Sequence, residues 1–400
     1  MTTLLTVLSK ARHCNASDPR DKIYALLPLQ GLYDLELPPG LKPNYSNPVA
    51  SIFADCAAAL LETDNFDVLS AVQGTSTLPD LPSWVTDWSL SPQRFVFGEI
   101  SSTPRLRCPM RKVWGGDDSD ENEFENQPGT RHLWTKTVSL SNGKQMLGAQ
   151  ASGYLAGRIA KLGSTYLAGQ TPFPMKEWMD IAVKSEAVRA IDRVPDVALN
   201  YTDAPNRHVF ECVLSVAGFS NMGMSGFLRG KYRDKDCTDH LDFKSWRPRP
   251  GVGEDGPREN SQDRFEQLIR ETAEVMRATG TLGEQEPVPY AEIPFHRAAK
   301  EIGISPSAYV QYVLRHCHSR RFFVTDAGYM GLAPSEAEVG DEVRLFVGAG
   351  FPFVLRKKEG VTSQDGGILY HLVGEGYMEE RPWMVAKEKP RCEAETVTIV

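Results

Sequence analysis

Residues 320–356 read RRFFVTDAGYMGLAPSEAEVGDEVRLFVGAGFPFVLR, and YHLVGEGYM follows at 370–378. Short apolar runs are separated by Gly-containing turns. The pattern predicts five strands, at Arg321–Thr325, Tyr329–Leu332, Glu342–Val347, Phe351–Lys357 and Ile368–Glu375. Five short strands with tight turns suit a small antiparallel barrel or rolled sheet. Gly340-Asp341 forms the turn into what reads as a central strand. Val343 and Leu345 lie two apart, as do Phe353 and Leu355, so each pair shares a sheet face. With Phe323 they are the expected core of a C-terminal β module at 320–380, followed by a tail at 381–400.

Upstream, HLWTKTVSL (132–140) and KQMLGAQASGYLAGRIAKLG (144–163) flank Asn142-Gly143, a hairpin signal. The glycines of 153–163 match neither a phosphate-binding loop nor GxGxxG, and read as strand bends or bulges. Helical patterns occupy about 175–190, 205–218 and 261–279, and another opens at Ser305-Pro306. Residues 131–319 are therefore a mixed strand–helix region. Residues 91–130 contain GGDDSDENEFENQPG, acidic and polar, which reads as a mobile surface linker.

The first 90 or so residues read as mainly helical. Leu4, Leu5, Val7, Leu8 and Ala11 line one broad face of a first helix. In DPRDKIYALLPL (18–29), Asp18 suits a helix N-cap, Pro19 the first helical position and Asp21 the positive end of the dipole. Ile23, Tyr24, Leu26 and Leu27 then face inward. Capping accounts for the acids without catalysis. Arg20 opposes the dipole and is expected to find a carboxylate elsewhere. PNYSNPVASIFADCAAALL (43–61) repeats the grammar, with Asn47 as cap, Pro48 next, and Ile52, Phe53, Cys56, Ala59 and Leu60 inward. Trp84 and Trp88 in LPSWVTDWS (81–89) read as core filling rather than an aromatic ligand platform. The fold class is α+β: a helical N-terminal part, a mixed middle and a small barrel-like β module.

A length of 400 residues favours two or three domains, and a net charge of -8 argues against general nucleic-acid binding. No run approaches the ~20 apolar residues of a membrane span. The N-terminus lacks the pattern of a signal peptide. Seven scattered cysteines without a CxxC suit reduced thiols and a cytoplasmic setting.

No chemical constellation is complete. His316, Cys317 and His318 are consecutive, so on a helix they point in different directions. Cys237 and His240 have ligand-like spacing but no second cluster. Cys14 and Cys317 each neighbour a histidine in sequence, which says little about geometry. There is no GxSxG and no phosphate cradle. The sequence assigns no catalytic, cofactor-binding or metal-ligating residue, and implies no cofactor.

DPRDKIYALLPL, PNYSNPVASIFADCAAALL and LPSWVTDWS, in that order, resemble fungal heterokaryon-incompatibility (HET) proteins downstream of their HET domain. The stretches at 320–356 and 370–378 resemble the closing module of the same proteins. The resemblance covers roughly 15–90 and 320–378 and is weak between. The family's HET domain carries LSYVWG-like and WIDAICINQ-like segments and a QE-bearing block; none occurs in this sequence, which reads as starting just after them. That domain is the part associated with cell death after fusion of unlike hyphae, and is distantly likened to TIR-type domains. The resemblance thus implies a non-enzymatic protein acting through a protein partner in allorecognition or an associated process, without nucleic acid or membrane, as a short or remnant form. The alternatives are an enzyme of unknown class with its pocket between head and β module, encoded beside secondary-metabolite genes, and a truncated gene product.

Overall fold

The computed structural model of the protein describes residues 4–29, 42–61, 66–97, 132–184, 213, 269–270, 308–378 and 394–400. The acidic stretch at 117–125 lies outside them, as do the helical patterns at 205–218 and 261–279 apart from Val213 and residues 269–270, which are helical.

The N-terminal part is built from α1 (Leu4–Ala11), α2 (Asp21–Tyr24), a 3-10 turn at Leu27–Leu29, α3 (Val49–Leu61) and α4 (Asp67–Ser70). Leu4, Leu5 and Leu8 are buried on α1. The helix starts later than expected: α2 begins at Asp21 with Arg20 at its N-cap and no side chain capping it, while the Asp18 carboxylate accepts the Arg20 backbone N–H at 3.0 Å and closes the turn before the helix. Arg20 departs from expectation: its carboxylate is Asp18 itself, two residues back, at 2.8 Å. The guanidinium then reaches the Asn47 carbonyl (3.0 Å) and covers the Tyr45 ring (5.3 Å). It clasps the loop that enters α3. On α3, Ile52, Phe53, Cys56 and Leu60 are buried, and Ala57 takes the inward place expected of Ala59. Trp84 and Trp88 are buried, with Trp84 Nε1 donating to the Leu147 carbonyl at 3.1 Å.

The strands are β1 (Leu133–Ser139), β2 (Gln145–Leu162), β3 (Arg320–Thr325), β4 (Met330–Pro334), β5 (Glu342–Phe346), β6 (Phe353–Thr362), β7 (Ile368–Glu375), β8 (Tyr377–Met378) and β9 (Glu395–Ile399). β1 and β2 form the expected hairpin around Asn142-Gly143. The five strands expected in the C-terminal stretch all appear as β3 to β7, but they do not make a self-contained unit. β2, from the middle of the chain, pairs in turn with β1, β9, β5 and β3. The expected tail supplies β9, which lies between β2 and β7. The pairings β2–β5, β5–β6, β6–β7, β7–β9 and β9–β2 return to their starting strand, a closed circuit of five strands. All are antiparallel except β7–β9, which is parallel.

β2 can serve four partners because its backbone is interrupted. Its register shifts between Leu155 and Gly157 and again between Ile159 and Lys161. Gly157 sits at φ +146°, outside the range of ordinary side chains, and forms the first bulge. At Gly153 a Cβ would lie 2.2 Å from the Leu345 carbonyl oxygen, so the two backbones meet only because no side chain intervenes.

One core joins the head to the sheet. Leu8, Ile23, Phe53, Phe66 and Trp84 share it with Phe346, Phe353, Leu372 and Ile399. Phe66 stacks on Phe346 at 5.7 Å. A second core gathers Phe323, Val343, Leu345, Val354 and Met378. Val343 and Leu345 thus share one face as expected, while Phe353 and Leu355 face the core shared with the helices. α5 (Met175–Lys184) and α6 (Ala308–Cys317) flank β3, and Trp178 of α5 stacks on Phe322.

Candidate functional site

The densest buried polar chemistry among the described residues lies where the segment Gln93–Phe97 leaves the helical part and crosses the sheet. Phe95, Val96 and Phe97 are buried, as are Gln73, Arg94, Arg320 and Glu375. Gln73, just past α4, reads the start of the segment. Its Oε1 accepts the backbone N–H groups of Gln93 (2.8 Å) and Arg94 (3.0 Å), and its Nε2 donates to the Arg94 carbonyl (2.9 Å). Arg320, the first residue of β3, donates from Nη2 to the Phe95 carbonyl (2.9 Å) and from Nη1 to the Glu375 carbonyl (2.8 Å). Glu375, at the end of β7, accepts the Phe97 N–H at 2.7 Å.

The side chains of the segment are also engaged. Arg94 pairs with Glu336 at 3.1 Å. Phe95 meets His316 edge-on at 5.4 Å. Phe97 lies under the Arg320 guanidinium at 3.7 Å, a cation–π contact, and packs on Phe351 and Tyr377. Two guanidinium groups and the Glu375 carboxyl are thus buried together, with the half-buried Glu336 at the edge. Burial pushes the Glu375 carboxyl up to about 7, against the opposing pull of Arg320 and the Phe97 N–H. Burial, and then the neighbouring Arg94 charge, lower Arg320. Arg320 Nε has no partner among the described residues.

A second ion cluster, with Glu342 and Arg344 buried at its centre and Lys357 and Glu395 exposed at its rim, ties strands of the five-strand circuit together. Arg344 on β5 donates to Glu342 from Nε (2.9 Å) and Nη2 (2.8 Å), reaches Glu395 on β9 at 3.2 Å, and contacts the Tyr370 hydroxyl on β7 at 3.3 Å. Lys357 on β6 pairs with Glu342 at 3.2 Å. Burial alone would raise Glu342, but the hydrogen bonds from Arg344 and the Lys357 charge hold it below the usual carboxylate range.

The residues weighed from the sequence do not converge. His316 packs on Phe95 and Phe97, whereas His318 Nδ1 accepts the Ala168 N–H at 2.9 Å on the far side of the helix end. Cys317 is buried, and burial raises its thiol well above the ordinary value. Cys14 is exposed beside His13. Cys237 and His240 fall outside the described residues. Among the described residues no three His, Cys, Asp or Glu side chains gather as a metal-binding set. A shallow, open depression of about 650 Å³ lies beside α5, lined by Lys161, Lys176, Glu177, Asp180 and Ile181. No helix among the described residues is long and apolar enough to cross a membrane.

Sequence reading missed the seam residues Gln73, Arg94, Arg320, Glu336 and Glu375. The available signal was a charge inside an apolar run: Arg94 in QRFVF, Arg320 in RRFFV, and Glu375 between two glycines in LVGEGYM.

Residues 292–381 match the Het-6 beta-barrel domain, a range that holds Arg320, Glu336, Glu375 and strands β3 to β8. The C-terminal region is therefore a region of the heterokaryon-incompatibility (HET) family, as the motifs at 320–356 and 370–378 imply. A 66-residue stretch is 36% identical to heterokaryon incompatibility protein 6, OR allele, of Neurospora crassa. That stretch covers 16% of this chain and only 9% of the relative's length. No solved structure matches. β2 and β9 lie outside the matched range although they complete the same sheet.

Proposed function

We propose that this heterokaryon-incompatibility-type protein works without catalysis, by cytoplasmic protein–protein contact in fungal allorecognition or an associated process, including its cell-death outcome. The observation that carries the reading is the Het-6 beta-barrel domain at 292–381. The five-strand circuit is, on this reading, the barrel of that domain. The bonding of the buried charges supports the same view. Arg94, Arg320 and Arg344 are spent on backbone carbonyls and on neighbouring carboxylates, which holds elements together rather than presenting groups to a substrate. The test is inducible expression of the chain in a filamentous fungus, alone and with an intact HET protein, scored for viability and for a co-purifying partner. An effect that needs the second protein supports contact; no effect and no partner in either background rejects it.

The alternative, an enzyme with its site between head and sheet, has one observation in its favour. Glu375 is a buried carboxyl pushed to about 7 at that location. Turnover of NAD or ATP by the purified chain, abolished by Glu375→Gln, would establish the alternative.

A further inference from the structure

Gln93–Phe97 crosses the sheet without joining a β ladder. Five hydrogen bonds to its backbone come from three side chains instead: three from Gln73, one from Arg320 and one to Glu375. Those three side chains stand on different elements, and each is at most 3% exposed. A buried glutamine, arginine or glutamate without partners is costly, so the three readers favour a backbone that lies across them with its N–H and C=O groups free of a ladder. Backbone contacts of this kind are blind to sequence. Selection comes from the side-chain sites: Glu336 for a cation, His316 for the first aromatic ring, and the Arg320–Phe351–Tyr377 slot for the second. We propose that this seam is a peptide-binding groove for a short irregular segment of the pattern Arg–aromatic–apolar–aromatic, filled here by the chain's own Arg94–Phe97. The proposal rests on the contact reading above and names its site and ligand class. The occupant is an internal strap, and the corresponding ligand in trans is an unstructured segment of another protein with the same spacing of one cation and two rings. With the strap seated, the groove is closed to that ligand.

The test uses the full chain and a fluorescein-labelled peptide of sequence SPQRFVFGE, residues 91–99, read by anisotropy. The wild-type chain is expected to bind little, because its groove is filled. The chain carrying Phe95→Ala and Phe97→Ala has lost its anchors and is expected to bind at least tenfold more tightly than wild type. A peptide with its arginine replaced by alanine should bind about tenfold less well, the loss expected of one charge-assisted bond. If the double variant does not fold by circular dichroism, Arg94→Ala is read in its place, which leaves Gln73, Arg320 and Glu375 intact to read the peptide. It keeps both rings, frees only the start of the strap, and should admit the peptide more weakly but still selectively. A folded variant that ignores the peptide, or that binds a scrambled peptide equally well, overturns the groove. Neither result bears on the viability assay, so the groove and the function can fail separately.

Discussion

Glu375 has an ordinary carboxyl value near 4.5 and is pushed to about 7 in the fold. The folded state therefore binds its proton more tightly than the unfolded chain does. The stability tied to that proton is fully present below pH 4.5 and is lost as pH rises through 7, by an amount of order 3 kcal/mol. The thermal midpoint of the wild type should fall between pH 4.5 and 7 and level off above. Glu375→Gln keeps an acceptor for the Phe97 N–H but cannot ionise, and should flatten that interval; an unchanged slope would assign the titration to another group. Gly153 tests a different constraint. An added methyl there meets the Leu345 carbonyl oxygen, which can retreat only by breaking the β2–β5 ladder. Gly153→Ala should cost about 3 kcal/mol in denaturant melts, the upper range of overpacking. At the Gly143 turn nothing lies within 4 Å of the added methyl, so Gly143→Ala should cost only the roughly 1–2 kcal/mol of a left-handed residue.

At the scale of elements, alternation carried most of the information. β3, β5 and β7 were legible because Phe323, Val343, Leu345 and Leu372 recur at spacings that only a pleated surface satisfies. Leu345→Ala should cost about 2–5 kcal/mol, since its side chain fills the second core. Ile368, 54% exposed at the hairpin tip, should tolerate alanine with little change. Urea melts of both variants check the register, and a neutral Leu345→Ala would refute it. What alternation does not encode is the partner of a strand. TVTI near the end of the chain has strand-like composition, yet nothing in those residues says that they run parallel to β7 and antiparallel to β2. The Asp18–Arg20 pair was half legible. A turn held by the Asp18 carboxylate follows from local chemistry, whereas the helix start at Asp21 and the clasp on the Tyr45–Asn47 loop needed the fold.

At the scale of the molecule, head and sheet share a core, so they should unfold together. Far-UV circular dichroism and tryptophan fluorescence should give one coincident transition. Phe66→Ala, which removes the ring that stacks on Phe346 and lies tilted against Phe353, should lower the stability seen by both probes by about 3–5 kcal/mol. Two separated transitions would mean that the shared core is not what couples them. The family resemblance was readable from short contiguous motifs. The seam was not, because Gln73, Arg94, Arg320, Glu336 and Glu375 are brought together only by folding. The same long range in sequence governs β2, which meets its neighbour β9 across everything between residues 162 and 395. At ribosomal speeds of about 5–20 residues per second, that interval lasts roughly 10–50 s. Throughout it the edge of β2 at Ala149–Gly153, which β9 later covers, stays unpaired on the nascent chain. Newborn molecules, rather than finished ones, are thus the stage most exposed to aggregation, and holdase chaperones should be found on chains stalled before residue 395 and absent from chains that have passed it.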